Sequence, residues 1–118
     1  MGGFFSATVA LARSSGDDQL RFFATCAGRL SAQMEFQWLF DGDASEQTKR
    51  QRASVVDILE AMTPDARGRE ILSWRIEAKQ AQAVLLSRGT FDQDPRGARI
   101  ANILALRRID ECRSLLLS

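Results

Sequence analysis

Apolar residues recur every three to four positions through four stretches of this chain, and the strong turn signals fall between them. In the first stretch, about Asp17 to Phe40, Phe23, Ala27, Leu30, Met34 and Trp38 form one stripe, the spacing that places side chains on a single helical face. Met34-Glu35-Phe36-Gln37-Trp38 also alternates apolar and polar, which is strand periodicity, but it continues a strong helical pattern and helix is preferred. Phe36 and Phe40 are then left on a different face from Trp38. The apolar segment Phe4 to Leu11 is the nearest candidate to cover that face.

Asp41-Gly42-Asp43 ends the first helix, and Asp43 with Glu46 can form a capping box for a second, about Ala44 to Met62, whose Val55, Leu59 and Met62 share a face. Thr63 as cap and Pro64 at the first helical position start a third, to about Ser87, with Ile71, Trp74, Ala78, Ala81 and Leu85 inward. Gly89 offers a stop, 90–93 a loop, and Asp94-Pro95 a second cap-then-proline signal for a last helix that runs to near the end. The expected fold is all-α: an antiparallel up-down four-helix bundle with a short additional N-terminal helix or apolar segment over residues 1–16, in a single domain of 118 residues. Leu30, Met34, Trp38, Leu59, Trp74, Leu85 and Ile103 are its expected core.

The two cysteines test that topology. In an antiparallel first and last helix, Cys26 stands roughly 14 Å up one and Cys112 roughly 9 Å up the other, at 1.5 Å per residue. Ala24, Gly28 and Ala32 on the first helix and Ala98, Ala105 and Cys112 on the last form small stripes that permit close approach. A Cys26–Cys112 disulfide follows as an expectation, against the alternative of two buried, reduced thiols, and a bridge implies an oxidising compartment.

Composition narrows the chemistry. Hydrophobic residues make up 45% and charged ones 26%, which is ordinary for a folded domain. Sixteen basic residues, fourteen of them arginine, oppose fifteen acidic ones, too even a balance to attract nucleic acid by long-range field alone. Lys49-Arg50-Gln51-Arg52 and Arg107-Arg108 are the tightest basic clusters, and no recognition-helix signature accompanies them, so nucleic-acid binding is disfavoured. Histidine and tyrosine are absent, which removes the usual general base, the commonest zinc ligand and any histidine-activated nucleophile.

At the amino end the apolar run and Ala10-Leu11-Ala12 echo a signal-peptide cleavage site without a preceding basic residue. Residues 1–12 therefore read as a native helix or a signal remnant. Gly2 and Ser6 match the myristoylation pattern only formally. No apolar run reaches the roughly 18 residues that span a bilayer. An exported bacterial protein, periplasmic or secreted, is slightly favoured over a cytoplasmic one.

Asp41-Gly42-Asp43 and Asp92-Gln93-Asp94 each resemble the opening of a calcium loop, but Arg52 and Ile103 stand where the bidentate glutamate belongs, so no metal site is assigned. Glu35, Glu70 and Glu77 lie on predicted helices, and nothing in their spacing selects an acid–base pair. The up-down topology gathers Asp41, Asp43, Asp92 and Asp94 beside Phe36, Phe40 and Phe91 at one end, an acidic, aromatic-flanked pole suited to a basic peptide or a cation. No cofactor is implied. The expected function is non-catalytic: protein–protein binding or self-association through that pole. A carboxylate-based enzyme or small-ligand binder within the bundle is the alternative, and a nucleic-acid-binding accessory protein a further one.

Overall fold

In the computed structural model, residues 3–116 are described, with side chains from residue 16 onward. Four long helices account for nearly all of them: α1 Gly3–Phe40, α2 Gly42–Met62, α3 Gly68–Phe91 and α4 Pro95–Arg113. Short 3-10 turns cover Asp65–Arg67 and Ser114–Leu116, and no strand occurs among the described residues. The four helices pack together, α1 against each of the other three and α3 against α4.

The separate N-terminal segment is not seen. Residues 3–16 continue α1 without a break, because Ser14-Ser15-Gly16 contains no proline and one helical glycine costs only about 1 kcal/mol. Phe4–Leu11 and Phe36 therefore lie at least 25 positions apart on one helix, roughly 38 Å, and the former does not cover the latter in the same molecule. The side chains of 4–11 lie outside the described residues.

Two helix starts also differ from expectation. Asp41, not Asp43, caps α2: its backbone is extended and its Oδ1 accepts from the Ala44 amide at 3.1 Å. Thr63 does not cap α3. Its hydroxyl donates back to the Leu59 carbonyl at 2.6 Å, Pro64 is extended, and the helix begins four residues late, after the 3-10 turn. Asp94 caps α4 as its sequence suggests, with Oδ1 accepting from the Arg96 amide and Pro95 in the first turn.

The main core joins Leu20, Ala24, Cys26, Ala27 and Leu30 of α1 to Val55 and Leu59 of α2, Ile71 of α3, and Ile109 and Cys112 of α4. A smaller cluster of Ala32, Leu86 and Ala105 continues it, with Phe36 and Leu85 packed alongside. Leu30 and Leu59 are buried as expected, while Met34, Trp74 and Leu85 are half-buried. Trp38 and Ile103 are not core residues. Beside Trp38, α2 lines the surface with the polar Ser45, Glu46 and Lys49, and the indole is 73% exposed. Ile103 stands outside the α4 stripe of Ala101, Ala105, Ile109 and Cys112 and is exposed.

Along α3 Ile71 is buried as expected, but farther on the inward stripe is shifted by about one residue, so Ala81 is exposed while Gln82 and Leu86 are buried. Gln82 is 0% exposed; its Nε2 donates to the Ala105 carbonyl at 3.1 Å and to Gln33 Oε1 at 3.3 Å. Its Oε1 has no partner, an omission that costs about 1–3 kcal/mol in a protein interior. Other polar groups stitch α1 to α2: Arg52 Nε donates to Ser31 Oγ at 2.6 Å, Ser45 Oγ to the Met34 carbonyl at 2.9 Å, and Thr48 Oγ1 to Gln37 Oε1 at 2.6 Å.

Gly28 faces α3, not α4 as the small-residue stripe suggests. A Cβ built there would collide with the Arg75 carbonyl and meet Lys79 N at 2.9 Å and the Ala78 Cβ at 3.0 Å. The obstruction is backbone and cannot turn aside. Gly28→Ala is expected to lower stability by about 1–3 kcal/mol, the usual cost of overpacking, whereas Gly16→Ala, with nothing within 4 Å of the added carbon, should be neutral or stabilising by up to about 1 kcal/mol. Leu59→Ala should cost about 2–5 kcal/mol and Trp38→Ala less than about 0.5 kcal/mol. Urea unfolding midpoints of the four variants check the ordering, and equal shifts for Gly28→Ala and Gly16→Ala would contradict the packing.

Candidate functional site

Where α1 runs into α2, the Asp41 amide still donates to the Gln37 carbonyl at 2.6 Å and the Ser45 amide to the Asp41 carbonyl at 3.1 Å. Only one residue thus separates α1 from α2 after Phe40. The α3–α4 turn is similarly short: the Asp92 amide donates to the Arg88 carbonyl, and Asp92 Oδ1 accepts from the Asp94 amide at 2.9 Å. Tight turns leave no loop to fold over the helix ends, so the last turns of α1 and α3 meet solvent with their apolar side chains uncovered.

Those side chains adjoin. Ala32, Glu35, Phe36, Leu39 and Phe40 of α1 and Ala83, Leu86, Ser87 and Phe91 of α3 border one open groove of about 240 Å³. The Phe36 and Phe40 rings are tilted against each other with centroids 4.9 Å apart. Leu39, Phe40 and Phe91 are 67%, 62% and 70% exposed, and Trp38 flanks them on the α2 side. Phe36, Phe40 and Phe91 are therefore brought together as the sequence suggests, and Asp41 and Asp92 follow directly on two of them. Asp41, Asp92 and Asp94 spend one carboxylate oxygen each on the turns; Asp43 lies in the first turn of α2.

Trp38 and Leu39 are the members that pattern reading missed. Trp38-Leu39-Phe40 is a run of three apolar residues, and successive helical positions are about 100° apart, so the three cannot all face one core. That run was the available signal. The carboxylates Glu35, Glu70 and Glu77 do not converge: Glu35 accepts from Lys79 Nζ at 2.7 Å and Glu70 from Arg67 Nε at 2.9 Å. Glu70, then Asp17, raise the Arg67 pKa above its ordinary value through hydrogen bonds to the guanidinium. No group of three His, Cys, Asp or Glu side chains among the described residues could hold a metal ion. No helix among them is long and apolar enough to cross a membrane.

No protein-family model, curated protein or solved structure matches this chain.

Cys26 and Cys112 stand at disulfide distance, with Cα atoms 5.3 Å apart and both side chains 0% exposed, inside the roughly 7 Å limit for bridging without backbone movement. Arg29 sits over the pair, its Nη1 donating to the Arg108 carbonyl at 3.2 Å, to Glu111 Oε2 at 2.9 Å and to Cys112 Sγ at 3.8 Å. A bridge here spans 86 positions and stabilises by up to about 4.6 kcal/mol in the chain-entropy account. Protein made under oxidising conditions is expected to show no free thiol after denaturation without reductant, and reduction or Cys112→Ser should lower the melting temperature by several degrees. Two titratable thiols in that protein would show that the bridge does not form.

Proposed function

We propose that this chain is a non-catalytic helical binding protein, that its partner is another protein, and that it docks a segment of apolar residues flanked by lysine or arginine on the pole formed by Trp38, Leu39, Phe40 and Phe91. The observation that carries this reading is the contiguous exposure of those four large side chains beside a groove of about 240 Å³. Contiguous apolar patches of this kind on a protein surface mark interaction sites more often than isolated exposed residues do. Asp41, Asp43, Asp92 and Asp94 at the adjoining turns supply the charge that favours a basic rim on the partner. Ser45, Glu46 and Lys49 give the Trp38 side a mixed character, so apolar contact and not charge alone sets affinity.

The helix order that gathers the pole is up, down, up, down. Register pairs support it: numbering rises together in α1 and in the 3-10 turn and α3, from Arg67 on Asp17 to Lys79 on Glu35, and in opposition in α1 and α4, from Cys26 with Cys112 to Arg29 with Arg108. The cysteine pair favours an oxidising compartment such as the bacterial periplasm or the exterior.

Twelve-residue peptides alternating leucine with lysine, glutamate or serine, titrated by fluorescence anisotropy, test the docking reading. The lysine peptide is expected to bind at least about tenfold more tightly than the glutamate peptide, to weaken as salt rises, and to lose binding to the Phe40→Ser/Phe91→Ser double variant, whose positions are too exposed to threaten the fold. Equal binding of all three peptides, or no loss in the variant, would overturn it. So would a concentration-dependent dimer abolished by the same variant, which would assign the pole to a second copy of the chain.

A further inference from the structure

Along α3, opposite the buried Ile71 and Gln82, a row of exposed residues faces solvent: Ser73, Ile76, Gln80, Val84 and Ser87. At 100° per residue all five lie within about 40° of one line down the helix, a stripe about 21 Å long at 1.5 Å per residue. None of them is charged, and none of their side chains is hydrogen-bonded among the described residues. Ile76 and Val84 are 46% and 50% exposed. The nearest charged positions, Glu77 and Arg88, stand off one edge, and Lys79 off the other is held by Glu35. In a chain of which 26% is charged, such a stripe suits a neutral occupant, since a charge brought onto it would lose water and find no counter-charge.

The order of its residues selects that occupant. Counting from Gln80, aliphatic residues stand four positions away in both directions, Ile76 and Val84, and serines stand seven away, Ser73 and Ser87. A stripe that reads alike both ways matches itself when a second copy is laid antiparallel across it. Ile76 then comes level with the second copy's Val84 and Ser73 with its Ser87, while Gln80 meets its own counterpart on the two-fold axis. A side-chain amide carries both donors and an acceptor, so two glutamines placed there satisfy each other. Steps of three and four are those along which helices interlock, and the serines, with Ala83 beside them, leave room for close approach. The chain's other exposed apolar surfaces do not match this one: on α4, Ile100, Ile103 and Leu106 are interspersed with Arg96, Arg99 and Arg107, and the aromatic pole adjoins four aspartates.

We propose that this chain forms an isologous two-fold dimer through α3, with the α3 helices of the two copies antiparallel and Gln80 at the axis. One helix pair buries less surface than a standard interface, so the association is weak, with a Kd on the order of 10–100 µM. The antiparallel order sends the two aromatic poles to opposite ends of the dimer, so each is left to its own partner. Ser87 also borders the pole groove, but the dimer stands whether or not the pole docks a peptide.

Sedimentation equilibrium of the full chain, made under oxidising conditions, tests the dimer. Ile76→Glu and Val84→Lys alter half-exposed positions and are expected to leave the fold intact, which circular dichroism checks. Each alone should weaken association at least about tenfold, because a charge then meets an aliphatic side chain of the second copy. The carboxylate introduced at 76 in one variant comes level with the ammonium introduced at 84 in the other only if the helices are antiparallel about Gln80. An equimolar mixture of the two variants should therefore associate at least about fivefold more tightly than either alone. Phe40→Ser, in the pole on α1, should leave the dimer unchanged. A chain that stays monomeric up to about 1 mM, tenfold above the expected range, an undiminished dimer in Ile76→Glu and Val84→Lys, a dimer lost in Phe40→Ser, or a mixture no tighter than its components would overturn the assignment.

Discussion

One helix packing against three others is the constraint on which the rest of this structure depends. Since α2, α3 and α4 all contact α1, the polar face of α1 between Leu20 and Ala32 narrows to a stripe of Arg21, Thr25 and Arg29, and many of the residues turned inward are small: Ala24, Ala27, Gly28 and Ala32 are all buried. Small side chains let helix axes approach, and at Gly28 the approach is close enough that the α3 backbone occupies the space of a Cβ. The same arrangement explains the exposed pole. Toward its carboxyl end α1 remains apolar on several sides, but α2 has only begun and α3 is ending, so Trp38, Leu39 and Phe40 keep their apolar character after their neighbours have gone.

The number of long helices, the approximate lengths of α2, α3 and α4 and the proximity of the two cysteines were legible because each rests on local chemistry or on simple distances along a helix, whereas α1 runs on through the break expected at residue 16. Pro95 behind Asp94 marks a start that tertiary contacts do not override, and α1 ends at Phe40 as the Asp41-Gly42-Asp43 signal requires. Rotation about each helix axis was less legible. A one-residue turn of α3 exchanges Ala81 for Gln82 in the interior, and periodicity counts a glutamine as solvent-facing because it cannot see that the Ala105 carbonyl and Gln33 stand ready to receive its amide. Trp38 failed for the complementary reason. Spacing placed it on the stripe of Leu30 and Met34, while its burial depended on what α2 presents across the gap, and α2 presents Ser45, Glu46 and Lys49. Of the candidate site, the phenylalanines and turn aspartates were legible because they border turns, and the exposure of Trp38 and Leu39 was not, since it depends on where the neighbouring helices stop covering α1.

Polar groups inside the helix contacts have a consequence for uniqueness. Leucine and alanine surfaces slide past one another at small cost, but a shift by one turn of α2 against α1 would separate Arg52 from Ser31 and Thr48 from Gln37, and a comparable shift of α4 would take Ala105 from Gln82. Each separation leaves a buried or part-buried donor or acceptor unpaired, at about 1–3 kcal/mol apiece. Two or three such penalties approach a large fraction of the total stability of a small domain. Register is thus held chiefly by hydrogen bonds that add little net stability where they are made.

The cysteine pair and Arg29 act on the same junction from two sides. Residues 26 and 29 are neighbours on one face of α1, and the helix they grip on the other side is the segment of α4 from Arg108 to Cys112. A bridge at Cys112 would fix the height of α4; Arg29, by holding the Arg108 carbonyl and Glu111, fixes the turn immediately before it. The α4 backbone from Arg108 to Cys112 would then be anchored at both ends of a single helical turn. Without the covalent closure, this junction would rely on Arg29 alone, holding a partly exposed carboxylate and one carbonyl, contacts of modest strength in water.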